Sequence, residues 1–143
     1  MITIVQRVLD EIWAHAHAEA PRECCGMLVG TCDRVLESVR ATNLESGTTR
    51  FQIDPRDHIR ALREARVKRL DVVGFYHSHP RSRAYPSETD IAECGYADAL
   101  HLIAGFAEPG DDTKLFRIGR DSVTEIEYAV AEVSVAPGPR GQS

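Results

Sequence analysis

Two histidines one residue apart, with an aspartate beyond them, carry the clearest chemistry in this chain. His77 and His79 open the segment HSHPRSRAYPSETD, residues 77–90, and Asp90 closes it, with ten residues between His79 and Asp90. In an extended segment alternate side chains point the same way, so both imidazoles leave one face with their bases about 7 Å apart. Rings that lean together over that gap can share one ion. Zinc takes nitrogen, sulfur and oxygen ligands in tetrahedral geometry, and two histidines with one carboxylate leave a fourth position open for water. This is the pattern of a catalytic metal site, with His77, His79 and Asp90 as ligands of one Zn2+. Nitrogen and oxygen donors also accept other divalent ions, so the donor set alone does not fix the metal.

An H-x-H pair is weak evidence alone, and the chain contains a second one. His15 and His17 fall in a segment with helical periodicity, where a two-residue step of about 200° puts them on opposite faces. The residue eleven after His17 is Leu28, not a carboxylate. His15 and His17 therefore read as ordinary surface or core side chains, as do His58 and His101. Ser87 and Asp90 also have a structural reading, since S-x-x-D before a helix is the spacing of a capping box with Ser87 as N-cap. Both roles of Ser87 can hold together, because a helix start is a suitable place for a fixed hydroxyl.

The elements that must position these groups follow from periodicity and punctuation. Residues 3–19 carry apolar side chains at Val5, Val8, Leu9, Ile12, Trp13 and Ala16, one face of a helix that Pro21 ends. Strands are expected over 25–29, 34–41 and 49–53, with a turn at 43–48. Asp54-Pro55 starts a helix to about residue 69, with Asp54 as cap and Pro55 at its first position. Residues 71–79, DVVGFYHSH, form a strand stopped by Pro80. A loop over 81–86 leads to a helix from Ser87 to about residue 96. Three further strands are expected over 100–106, 114–118 and 123–130. Helices and strands do not alternate regularly. The fold class is therefore α/β with α+β-like layers, a mixed and mostly antiparallel sheet flanked by helices. Residues 1–131 form one domain and 132–143, rich in Pro and Gly, a flexible tail.

H-S-H-P followed by P-S-x-x-D resembles the JAMM motif of MPN+ metalloproteases. PRECCGMLVG, residues 21–30, resembles the stretch of the small bacterial members that carries an upstream glutamate, with Glu23 in that position. DVVGFYHSHP resembles the strand leading into their metal site. The likeness runs from about residue 3 to 130, without the long insertions of the eukaryotic deubiquitinating members. It implies the curved MPN/JAMM sheet, one zinc ion, Glu23 as general base and Ser87 as a donor to the oxyanion. It also implies a peptidase or isopeptidase that cleaves after the C-terminal Gly-Gly of a ubiquitin-like sulfur-carrier protein, releasing cysteine or a tail residue. Such an extended tail could pair with a sheet edge.

Other classes compete. A non-catalytic MPN scaffold for protein interaction would lack the metal ligands, and here every motif position is filled. A RadC-like, DNA-associated protein shares H-x-H-P and S-x-x-D but normally carries an extra helical domain, and the net charge of −5 disfavours DNA. Cys24 and Cys25 beside Glu23 could supply a nucleophile, although no spacing selects a Cys–His pair. Zinc deamination wants H-x-E with P-C-x-x-C, which this chain lacks.

The remaining composition is that of a globular protein. The 143 residues suit one domain, with 43% hydrophobic and 27% charged side chains. Arginines and lysine between residues 60 and 69 are interrupted by Glu64 and apolar positions, the solvated face of an amphipathic helix rather than a nucleic-acid patch. No apolar run approaches the length of a membrane span, and Arg7, Asp10 and Glu11 break up any signal-like start. A cytoplasmic location follows, with Cys24, Cys25, Cys32 and Cys94 as free thiols.

Overall fold

A computed structural model of the chain describes residues 1–45, 51–87, 99–106, 112–119 and 122–132. The strands are β1 (Ile2–Val5), β2 (Cys25–Thr31), β3 (Arg34–Ala41), β4 (Asp71–His79), β5 (Leu100–Gly105), β6 (Asp112–Ile118), β7 (Val123–Ile126) and β8 (Tyr128–Ala131); the helices are α1 (Gln6–Glu19) and α2 (Pro55–Val67). They form one eight-stranded sheet in the order β7-β6-β5-β4-β2-β3-β1-β8. Pairing is parallel at β4/β5, β1/β3 and β1/β8, and antiparallel at the other junctions. The sheet is mixed, as expected.

Its curvature follows from the chain path. β7 and β8 stand at opposite ends of the strand order, yet only Glu127 separates them in sequence. Seven interstrand spacings in a flat sheet would put those edges about 34 Å apart. The two backbone steps from Ile126 to Tyr128 span at most about 7 Å. The sheet must therefore curl until its edges approach each other. The Tyr128 hydroxyl on β8 donates to the Thr113 carbonyl on β6 at 3.2 Å, which ties the closure.

The two helices cover opposite faces. Val8, Leu9, Ile12 and Ala16 of α1 are buried in one cluster with Leu28, Tyr76 and Leu102. On the other face Ala61 of α2 packs with Cys25, Met27 and Phe75. α2 starts as the sequence dictates: the Asp54 carboxylate accepts from the Arg56 N–H at 2.9 Å, and Pro55 opens the helix. It ends on Arg69 in the left-handed region (φ 61°), with Leu70 N–H donating to Ala65 O and Arg69 N–H to Arg66 O. This is a Schellman ending on a residue other than glycine. Arg60, Arg63 and Arg66 are exposed, as a solvated helix face requires.

Three expectations are corrected. Residues 2–5 form a strand before the first helix, because the β-branched run Ile2-Thr3-Ile4-Val5 pairs in parallel with both β3 and β8. The expected strand at 123–130 is two strands with different neighbours, split at Glu127 where the sheet closes. Of the strand expected at 49–53, residues 51–53 make only an isolated bridge, Asn43 to Ile53, and 49–50 lie outside the described residues. The expected helix beyond Ser87, with Asp90 and Cys94, and the tail from residue 133 also lie outside them.

Candidate metal centre and its surroundings

Strand register brings the candidate residues to one face. β4 pairs antiparallel with β2 so that Cys25 faces His77. Beyond that pair the Ser78 N–H donates to Cys24 O at 3.1 Å, and the Cys24 N–H donates to the Ser78 hydroxyl at 2.8 Å. Directly opposed residues project to the same side, so His77 shares the face of Phe75 and Met27, and strand alternation adds His79 to it. Tyr76 and Ser78 point to the α1 side. All three candidate side chains are buried: Glu23 is 4% exposed, His77 3% and His79 4%.

The imidazoles lean together. Nε2 of His77 and Nε2 of His79 are 3.1 Å apart. Two nitrogens bound to zinc at about 2.0–2.1 Å and a tetrahedral angle would be about 3.3 Å apart. The observed pair corresponds to an angle of about 98° at such an ion, a small closure from ideal. Without an ion the same separation suits an Nε2–H···Nε2 hydrogen bond. His79 Nδ1–H donates to the Arg83 carbonyl at 2.9 Å, which leaves the Nε2 lone pair directed at the shared point. Phe51 stacks on the His77 ring, centroids 4.3 Å apart at 22°. Among the described residues no group of three His, Cys, Asp or Glu side chains converges on one point. The expected third ligand, Asp90, lies outside them. The two ring nitrogens fit two positions of a tetrahedral zinc site.

Residues 80–87 follow β4 as a loop, and Ser87 is half-buried at the end of its described part. Ala84 packs with Ile103, Phe116 and Ile118, which anchors the loop over β5 and β6. Gly105 permits this approach: a Cβ there would lie 2.4 Å from the Ala84 nitrogen and 2.6 Å from the Arg83 carbonyl carbon. Sequence reasoning missed Arg83, which acts through its backbone, and Phe51, whose stacking depends on a contact 26 positions away. No side-chain signal announces either.

The other histidines fall as expected. His15 is buried, with Nδ1 2.7 Å from the Tyr76 hydroxyl, and burial followed by the nearby Arg40 charge lowers its pKa. His17 is exposed on the opposite face, beside Trp13 and Phe106. Cys24 and Cys25 are free, buried thiols. Burial, outweighing the hydrogen bond to Ser78, pushes Cys24 up to about 11; burial and then the Cys24 charge push Cys25 up to about 12. Burial thus favours the protonated thiol at both positions, which opposes a nucleophile role. Among the described residues no helix is long and apolar enough to cross a membrane.

The chain is similar to known proteins over most of its length. The family model for prokaryotic homologs of the JAB domain matches residues 5–118. A CysO-cysteine peptidase of Mycobacterium tuberculosis is 29% identical over 92% of this chain and 92% of its own length. A desampylase of Pyrococcus furiosus is 30% identical over 76% of each chain. The solution structure of protein DSY2949 from Desulfitobacterium hafniense superposes with a TM-score of 0.86 at 33% identity, covering 93% of this chain and 94% of that one.

Proposed function

The chain belongs to the prokaryotic homologs of the JAB domain, and from that membership and the paired imidazoles we propose a zinc-dependent peptidase. Its reaction is hydrolysis of an amide bond. The observation that carries the reading is the 3.1 Å approach of two buried Nε2 atoms, one with its tautomer set by the Arg83 carbonyl.

His77, His79 and Asp90 would hold the ion. When bound, zinc supplies a Lewis acid that polarises a carbonyl and acidifies water. Glu23 takes the proton of the attacking water and returns it to the leaving amine, so that one water is consumed for each amide cleaved. Its burial beside β4 keeps bulk water from competing for that proton. The Ser87 hydroxyl donates to the oxygen that gains charge as the carbonyl carbon becomes tetrahedral; losing one such donor costs about 3–4 kcal/mol.

The substrate we propose is a ubiquitin-like sulfur-carrier protein, cut after its C-terminal Gly-Gly. The name of the mycobacterial relative, CysO-cysteine peptidase, supports release of a residue such as cysteine. A purified carrier ending in Gly-Gly-X, incubated with the zinc-loaded protein, is expected to lose X by mass spectrometry. An unaltered mass for every X tried overturns the substrate. Intact activity in chelator, with loss on thiol alkylation, would favour cysteine chemistry instead.

A further inference from the structure

The segment between β3 and α2 touches both the base and a metal ligand. Its described limbs, residues 42–45 and 51–54, are laced together: Leu44 N–H donates to Gln52 O at 2.8 Å and Asp54 N–H to Thr42 O at 3.0 Å. Asn43 sits at the centre. Its Oδ1 accepts from the N–H groups of Glu45 and Gln52, each at 2.9 Å. Two donors on that oxygen fix the orientation of the amide, so Nδ2 is the atom that faces Glu23, donating to its backbone carbonyl at 2.9 Å. Arg22, the neighbour of Glu23, grips the same limb by donating from Nη2 to the carbonyls of Asn43 and Glu45 at 3.1 and 2.8 Å. Next to Gln52 is Phe51, whose ring lies flat on His77.

We propose that Asn43 and Phe51 are paired positioning residues: Asn43 holds the backbone that aims Glu23, Phe51 holds the plane of the His77 ring, and one hydrogen-bonded segment sets both. Neither touches a reacting atom. Glu23 lies two residues before the start of β2, just beyond the bond from Ser78 N–H to Cys24 O. The Asn43 amide holds its main chain from the β3 side. His79 meets the Nε2 edge of the His77 ring, and Phe51 closes one of its faces. The inference rests on the peptidase reading.

The two arms separate by readout. Asn43→Asp keeps the acceptor that Glu45 and Gln52 need and replaces the donor to Glu23 with a negatively charged oxygen. Zinc affinity, by competition with a chromophoric chelator, should stay within about twofold of wild type, while kcat on a Gly-Gly-X carrier falls about tenfold at nearly constant KM. Phe51→Leu should weaken zinc about tenfold and alter the visible absorption of the Co2+-loaded protein, and Phe51→Tyr, which keeps the ring, should restore both. Melting temperatures accompany each variant, and Asn43→Asp carries the test if Phe51→Leu fails to fold. Variants that bind zinc and turn over like a metal-loaded, active wild type overturn this inference alone. A wild type that takes up no metal overturns the peptidase reading, and the inference with it.

Discussion

Gly105→Ala should weaken metal binding from a position that touches no ligand side chain. The new methyl would sit 2.4 Å from the Ala84 nitrogen, 2.6 Å from the Arg83 carbonyl carbon and 2.8 Å from the Ser82 oxygen. All three are backbone atoms, so no side chain can swing aside. Restoring ordinary contact at about 3.4 Å requires the loop to lift by about 1 Å. The same loop presents the Arg83 carbonyl to His79 Nδ1 at 2.9 Å. A lift of that size would stretch this bond by up to the same amount, to at most about 3.9 Å, beyond hydrogen-bond range. Loss of the hydrogen-bond partner on the far nitrogen of a metal-bound histidine typically costs about 10–100-fold in affinity, or about 1.4–2.7 kcal/mol. Overpacking should also lower folding stability by about 1–3 kcal/mol. Chelator competition reads the first effect and urea denaturation the second. A folded Gly105→Ala protein that holds zinc within about twofold of wild type would refute the reasoning, since it would show that the Arg83 carbonyl does not govern His79.

Three more outcomes are expected. Glu23→Gln keeps the buried volume and removes the base, so zinc content should match wild type while kcat falls by about 10²–10⁴; normal turnover on a Gly-Gly-X carrier would dismiss Glu23 as the base. His15 is held neutral in the fold by burial, then by Arg40 and against Glu19, with a pKa below the ordinary 6.5. The unfolded chain therefore binds the extra proton first, and stability should decline as pH falls below 6.5 towards the lowered folded value; in urea titrations His15→Gln should flatten that decline, and an unchanged slope would count against it. Arg69→Gly relieves a left-handed φ at the end of α2, for a net gain of about 0.5–1 kcal/mol after the added freedom of the unfolded chain; a melting temperature that does not rise would put the strain elsewhere.

The parts legible in the sequence are those whose causes are local. β3 and β4 run over the residues that alternation and Pro80 marked, and α2 begins at Asp54-Pro55 because cap and fixed φ are written side by side. The same-face geometry of His77 and His79 follows from strand alternation alone. What depends on closure of the sheet is not written locally. Residues 2–5 could extend the helical pattern of α1 until parallel partners on both sides claim them, and the break at Glu127 exists only because β7 and β8 join opposite edges. The support around the candidate site was hidden for a similar reason. Arg83 contributes a carbonyl, Ser78 receives the Cys24 N–H across the sheet, and Asn43 reaches Glu23 from a turn-like segment. None of these leaves a periodic trace.

Peptidase chemistry at this site requires the two imidazoles to share an ion. Elemental analysis of the purified protein, wild type against His77→Ala, with both loaded and then desalted, tests this most directly. We expect close to one zinc per wild-type chain and little in the variant. Equal metal in the two proteins, or none in the wild type after loading, would contradict it.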